Sequence, residues 1–279
     1  MKKNKVIVAF ILIVLFCFYL YYQNTNLKVS SYEIVYGEIP KSFDNYKIIQ
    51  VSDFHNTKSN KLTEDLIEEI KLQKPNIIAI TGDLIDSNKT DIDVASNFIK
   101  RIKDIAPVYF ITGNHEAALG EYDTLRENLL NLGVKILDNK VEELNIAGEK
   151  INLIGIDDPN MSYNPYVSSS EKIEYALKEI NYDKKNYSIL LSHRPELFET
   201  YVRNDIDLVL TGHTHGGQVI VPFIGGLVSP NQGFFPKYDK GLFKENSTSM
   251  IVSRGIGNSI IPFRVNNRPE LVIVNLKTD

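Results

Sequence analysis

The chain alternates between short, wholly apolar runs and longer stretches with one apolar face. Residues 47–52 (KIIQVS) read as a buried strand, and Leu62, Leu66, Ile67 and Ile70 then recur at helical spacing, predicting an amphipathic helix over 61–73 that Pro75 stops. The alternation repeats with a strand over 76–81 and a helix marked by Ile92, Ala95, Phe98, Ile99 and Ile102. A strand over 108–112 and a helix over 122–132, closed by Gly133, follow. Beyond that point strands dominate: 134–137, 141–146, 151–156, 188–191, 208–211, 219–221, 250–253 and 271–275, with a helix over 171–180. A first edge strand is expected within 28–39. Residues 222–243, rich in glycine and proline, read as a long loop. Strand–helix alternation with polar residues at the strand ends is the pattern of an α/β sheet, whose ligands bind beyond the carboxyl ends of the strands.

The first 22 residues stand apart. Residues 6–22 form a 17-residue run without charge, long enough as a helix for roughly 25 Å. Tyr19, Tyr21 and Tyr22 suit a membrane interface. No small-x-small cleavage site follows, so the run reads as an uncleaved anchor and not as a signal peptide. Lys2, Lys3 and Lys5 would keep residues 1–5 cytoplasmic and put the body outside. The expected division is an N-terminus 1–5, an anchor 6–22, a linker 23–29 and a single domain 30–279.

Charge and cysteine content narrow the function classes. The chain has 31 basic and 35 acidic side chains; four lysines and no acid lie in residues 1–30, so the remainder carries 27 against 35, a net of −8. An acidic body without a basic run argues against nucleic-acid binding, which needs a positive footprint. Cys17 is the one cysteine, so no intrachain disulfide forms. It lacks the small preceding residues of a lipoprotein signal, and there is no twin-arginine pair.

The candidate chemistry sits at five strand ends: Asp53-Phe54-His55, Gly82-Asp83-Leu84-Ile85-Asp86, Gly113-Asn114-His115-Glu116, Ser192-His193-Arg194-Pro195 and Gly212-His213-Thr214-His215. All five histidines of the chain fall in these segments. Taken singly, D-x-H and G-D are ordinary turns. Jointly they bring carboxylates and imidazoles to one sheet edge, a donor set for Mn, Fe, Zn or Co. Seven oxygen and nitrogen donors suit two ions better than one.

The ordered set D-x-H, G-D-x-x-D, G-N-H-E, a lone His and G-H-T-H resembles the calcineurin-like metallophosphoesterase family. The likeness covers residues 47 to about 220 by motif. The continuation G-H-T-H-G-G-Q, with S-R-G-I-G at 253–257 and R-P-E at 268–270, is similar to its membrane-linked branch, some of whose members act on UDP-diacylglucosamine-type lipids. The resemblance implies a four-layer α/β/β/α sandwich and a phosphoester or pyrophosphate hydrolase using a metal-bridging hydroxide. It implies Asp53, His55 and His215 at one divalent ion, Asn114, His193 and His213 at the second, Asp83 bridging both, and His115 acting on the substrate. Asp86 and Glu116 match the motifs without being obvious ligands. Arg254, Arg264 and Arg268 are candidate phosphate contacts, with surface salt bridging as their alternative. The anchor, the apolar loop 219–228, Phe234 and Phe235 favour a lipid-linked or surface substrate, with core packing as the alternative for the apolar residues. The alternatives within the fold are a nuclease, a phosphoprotein phosphatase and a non-catalytic metal-binding module. A module of that last kind is expected to lose ligands or His115, and this chain has them all.

Overall fold

The computed structural model describes residues 2–162, 164–258 and 261–279. A long helix, α1 (Lys2–Thr25), runs three residues past the apolar run; Met1 lies outside the described residues. The expected linker shrinks to Asn26 and Leu27, because β1 (Lys28–Val35) begins at once. The first α/β half then follows the hydrophobic pattern: β2 (Lys47–Val51), α2 (Asn60–Gln73), β3 (Ile77–Thr81), α3 (Ile92–Ile102), β4 (Val108–Ile111), α4 (Asn114–Ala118), α5 (Tyr122–Asn131) and β5 (Lys135–Ile136). Ser59 and Asp91 cap the starts of α2 and α3 by accepting from Leu62 N and Val94 N. The one-turn helix α4 escapes the pattern because its five residues, Asn-His-Glu-Ala-Ala, include no large apolar side chain to mark a buried face.

The second half comprises β6 (Lys140–Ile146), β7 (Glu149–Gly155), α6 (Ser169–Glu179), β8 (Ser188–Leu191), α7 (Phe198–Arg203) and β9 (Leu208–Thr211). Helix α6 starts two residues before the expected 171, because Ser168 and Glu171 form a capping box. The expected loop 222–243 is not helical, but it is more ordered than the pattern implies. Two small hairpins fill it, β10 (Ile220–Val221) with β11 (Gly225–Gly226) and β12 (Val228–Ser229) with β13 (Gly233–Phe234). Strand β14 (Gly241–Glu245) begins inside it, and β15 (Thr248–Val252) and β16 (Glu270–Lys277) complete the fold.

Two six-stranded sheets result, in the orders β1-β16-β2-β3-β4-β5 and β14-β15-β9-β8-β7-β6. Strands β2 to β5 are parallel, as are β7, β8, β9 and β15. Strand alternation sorts side chains into layers. Ile49 faces the helices α2, α3 and α5, together with Leu66, Ile70 and Phe98. Its neighbour Ile48 faces the second sheet, packing with Ile77, Tyr109, Leu191, Leu208 and Ile251. On the far side, Leu190, Val209 and Met250 meet Ile173, Phe198 and Tyr201 of α6 and α7. The protein is therefore the expected four-layer α/β/β/α sandwich with one N-terminal helix long and apolar enough to cross a membrane. Face-to-face packing aligns the carboxyl ends of β2, β3 and β4 with those of β8 and β9. Gln50 ties the sheets together there, donating to Thr81 Oγ1 (3.0 Å) and to the Thr211 carbonyl (2.8 Å).

Candidate metal centre

The five strand ends converge. Three buried groups have ligand atoms within 4.8 Å of one another: Asp53 with His55 and His215; Asp83 with His193 and His213; and His55 with Asp83 and His115. His193 Nε2 lies 3.1 Å from Asp83 Oδ2, His215 Nε2 lies 3.4 Å from Asp53 Oδ1, and the Nε2 atoms of His55 and His215 are 3.1 Å apart. Asn114, the first residue of α4, directs a buried side-chain oxygen that has no hydrogen-bond partner.

The backbone is bent to achieve this. Asp53, His55, Asp83, His213 and His215 have φ of 51°, 47°, 51°, 70° and 47°. Asp, Asn and His tolerate the left-handed region better than most residues, but each instance still costs of order 1–3 kcal/mol and such strain gathers at functional sites. Two glycines permit the close approach. A Cβ on Gly212 would lie 1.9 Å from Ser52 Oγ and 2.4 Å from Asp53 Oδ2, and one on Gly113 would lie 2.3 Å from Asp83 Oδ1.

Around these residues lies a shell of buried hydrogen bonds. Glu116, fully buried, accepts from Asp83 N (2.8 Å), Gly113 N (2.7 Å) and Ile85 N (3.2 Å), pinning the G-D and G-N-H-E turns together. His193 Nδ1 donates to the Thr81 carbonyl at 2.8 Å, which leaves Nε2 facing Asp83. His115 is held the opposite way round. Its Nδ1 accepts from Ser87 N at 3.0 Å, so the neutral ring carries its proton on Nε2. A protonated Nε2 can donate and cannot ligate a metal, which separates His115 from the other imidazoles although it lies among them.

Electrostatics follows from burial. Burial pushes the Asp53 carboxyl up to about 6, against the opposing charge of His193. Burial also disfavours charge on Asp83, but His193 beside it holds that carboxyl well below the usual range. Burial favours the neutral His193 ring, yet Asp83 overrides it and raises the imidazole to about 10. Burial lowers His55 to about 4. It also lowers His213 and His215, with Arg194 adding at the first and His55 at the second. The uncharged imidazoles of His55, His213 and His215, two buried carboxylates and the partnerless Asn114 Oδ1 fit a divalent ion, and His193, whose Nε2 faces Asp83, would give up its proton there to ligate one. Six of the seven expected ligands, Asp53, His55, Asp83, His193, His213 and His215, lie in these clusters, and Asn114 stands at the start of α4 next to His115.

The three arginines expected at phosphate are placed otherwise. Arg264 is fully buried and donates to the carbonyls of Arg254 (2.8 Å) and Gly257 (2.5 Å) and to Asn258 Oδ1 (3.1 Å), with Nη2 3.3 Å from His215 Nδ1. It props His215 from behind. Arg254 pairs with buried Glu270 at 3.4 Å, and Arg268 reaches Tyr22 of α1. The pattern missed Arg194, which is buried, clamped by Asp158 through two bonds (2.5 and 3.0 Å) and 2.9 Å from His213 Nε2. Its one visible signal was adjacency to His193. Asp158, which clamps Arg194, lies 36 residues away, and two of the three Glu116 donors, Asp83 and Ile85, lie 33 and 31 away, so no local motif shows them.

Two sheets whose strand ends meet over a buried Asp/His cluster define a metallophosphoesterase architecture. Residues 46–217 match the family described as calcineurin-like phosphoesterase, and the chain belongs to that family. It is 30% identical over 266 residues to the metallophosphoesterase YkuE of Bacillus subtilis, covering 92% of this chain and 88% of that one. It is 34% identical over 274 residues to the metallophosphoesterase Cj0846 of Campylobacter jejuni, covering 95% and 68%. A transmembrane protein with metallophosphoesterase domain from Danio rerio is 29% identical over 259 residues, covering 90% of this chain and 57% of that one. The chain is a phosphoester hydrolase with Asp and His clusters suited to divalent metal ions.

Proposed function

We propose that the chain is a two-metal phosphoester hydrolase, held at a membrane by α1 and acting on a membrane-borne, lipid-linked phosphoester or pyrophosphate. The observation that carries the two-metal reading is the placement of Asp83. Its Oδ2 lies 3.1 Å from His193 Nε2 and 3.8 Å from His55 Nε2, between the two histidine groups. Asp53, His55 and His215 would hold one ion, Asn114, His193 and His213 the other, and Asp83 both. Two divalent ions there supply Lewis acidity toward phosphoryl oxygens and a water of lowered pKa. The donor set is compatible with manganese, iron, zinc or cobalt.

The residues of the chain do the rest. Asp83 and Asp53 offset positive charge in a buried site. His115, its Nε2 proton fixed by the bond from Ser87 N, donates toward the leaving oxygen or a phosphoryl oxygen. Arg194, held rigid by Asp158, keeps a positive charge beside His213 without itself being free to wander. Beside His215 a cavity of about 320 Å³ is lined by Thr214, Gln218, Val228, Ser229, Pro230 and Ile261. Its largely apolar wall suits the hydrocarbon part of an amphiphile. Lys2, Lys3 and Lys5 before the apolar run support a body on the extracytoplasmic side.

Metal content and leaving-group dependence test this together. Asp83→Asn removes charge shared by both ions, so bound metal falls below two per chain. His115→Ala keeps both ions and loses roughly 10²–10⁴-fold in kcat on poor leaving groups, with a smaller loss on nitrophenyl esters. A His115→Ala protein stripped of metal would put His115 among the ligands. Full metal and full activity on every ester would remove it from the chemistry.

A further inference from the structure

The membrane helix does more than precede the body; its last two turns are bonded to it. Tyr19 Oη donates to Asn266 Oδ1 (2.6 Å) and accepts from Asn266 N (3.2 Å). Gln23 Oε1 accepts from Asn267 N (3.1 Å), and Asn24 Oδ1 accepts from Arg264 N (2.9 Å). The body therefore lies against α1 as far back as Tyr19. At a rise of 1.5 Å per residue, Tyr19 is about 9 Å deeper than Thr25. The uncharged run of roughly 25 Å is already short for a hydrocarbon core of about 30 Å. Asn266 is thus drawn to the level of the lipid headgroups.

From the same place springs an apolar flap. Ile220 N donates to the Val265 carbonyl (3.0 Å) and Asn266 Nδ2 donates to the Ile220 carbonyl (3.2 Å). The tip of that hairpin exposes Phe223 and Ile224, the next hairpin exposes Phe234 and Phe235, and Phe263 is exposed next to Arg264. Single exposed hydrophobics are ordinary. Five on adjoining loops, with Phe234 74% exposed, are an interaction surface. The stretch 219–236 contains no charged side chain, which fits neither an acidic nor a basic protein partner.

We propose that this flap is a second membrane contact: Phe223, Ile224, Phe234, Phe235 and Phe263 enter the lipid interface beside α1, and the cavity at His215 opens onto the bilayer. The occupant is lipid and not a second copy, because the surface is continuous with the end of the membrane helix. Aromatic side chains suit that depth, and insertion of an apolar face into the headgroup boundary is how interfacial segments hold to membranes. The inference deepens the reading of α1 as an anchor and rests on it. Substrate would then pass from the bilayer to the metal centre without crossing water.

The chain contains no tryptophan, so a single introduced indole reports alone. Full-length Phe223→Trp and Phe234→Trp proteins would be reconstituted into phosphatidylcholine/phosphatidylglycerol vesicles carrying lipids brominated at set acyl depths. Leu130→Trp serves as control, since α5 lies at the opposite edge of the first sheet. Expected are a blue shift and loss of most emission for the two flap variants with bromines near the carbonyl end, and neither for the control. A carbonate wash separates the failures. Protein released by the wash sinks the anchor and this inference with it. Protein retained, with flap emission no more quenched than the control, overturns the membrane contact alone. A blue shift in detergent that depends on protein concentration, without bromine quenching, would make the flap a contact between copies and equally overturn it.

Discussion

Glu116 offers the sharpest test of how the site is held. Its carboxylate accepts three backbone N–H bonds, from Asp83, Gly113 and Ile85, in a fully buried position. Glu116→Ala leaves three donors without a partner. A buried unsatisfied donor costs about 1–3 kcal/mol, so the sum starts at about 3 kcal/mol even if each sits at the low end. For a domain of this size 1 kcal/mol shifts Tm by roughly 2–4 °C, so Glu116→Ala should melt at least about 6 °C lower. Glu116→Gln is milder. Its amide oxygen can take the place of Oε2, which serves both Asp83 and Gly113, and only the Ile85 bond is lost, at about 1–3 kcal/mol. The assay is thermal unfolding by circular dichroism at pH 7.5, with and without chelator, alongside metal content by mass spectrometry. The expected order of Tm is wild type, then Gln, then Ala, with metal lost in Ala because Asp83 is no longer held in its left-handed conformation. An Ala variant melting within about 2 °C of wild type and carrying both ions would refute the reasoning.

Other consequences are open to measurement. Burial, with Asp138 nearby, pushes the Asp157 carboxyl up to about 6 from 3.8. A carboxyl raised in the folded state stabilises fully below the unfolded value and loses that contribution as pH rises through 3.8 to about 6. Asp157→Asn should therefore gain about 1–3 kcal/mol on wild type between pH 4 and pH 7.5; a Tm difference that does not change with pH would contradict it. Gly212→Ala would drive a Cβ into Ser52 and Asp53, and it should carry fewer than two ions per chain; full metal content would show that the turn can yield. Phe234→Ser with Phe235→Ser removes side chains worth about 1.5–3 kcal/mol each in an apolar setting. KM for a lipid-linked ester should rise tenfold or more while a small chromogenic diester is unaffected; equal losses on both would reject a role in substrate selection.

What could be read from the sequence, and what could not, divides by the range of the interactions. Buried parallel strands such as Ile77–Thr81 and Leu208–Thr211 announce themselves because every residue is apolar or small and a turn signal stops them. The ligands stood out because each follows such a strand directly. Helix α7 (Phe198–Arg203) was not visible, since six residues behind Pro195 show too little periodicity to distinguish from a turn. Strand β14 lay inside what read as loop because Gly241 and exposed Leu242 and Lys244 break the apolar pattern at a sheet edge. The supports of the site were hidden for another reason. Glu116, Arg194 and Arg264 are charged residues that a pattern places at the surface. Only the folded chain reveals that their partners are backbone groups and an aspartate brought from elsewhere.

The place of β16 sets a condition on how the molecule is made. This strand lies between β1 and β2, parallel to the first and antiparallel to the second. Until residues 270–277 have emerged, β1 has no neighbour and β2 presents a bare edge. At 5–20 residues per second, the interval between β2 and β16 is roughly 10–45 s. Throughout it the unfinished sheet is exposed to strand pairing with its neighbours. The loop that clasps α1 and props His215 immediately precedes β16. Closure of the first sheet therefore waits for the last ten residues, and the contacts that dock the body on α1 and brace His215 are made only just before it.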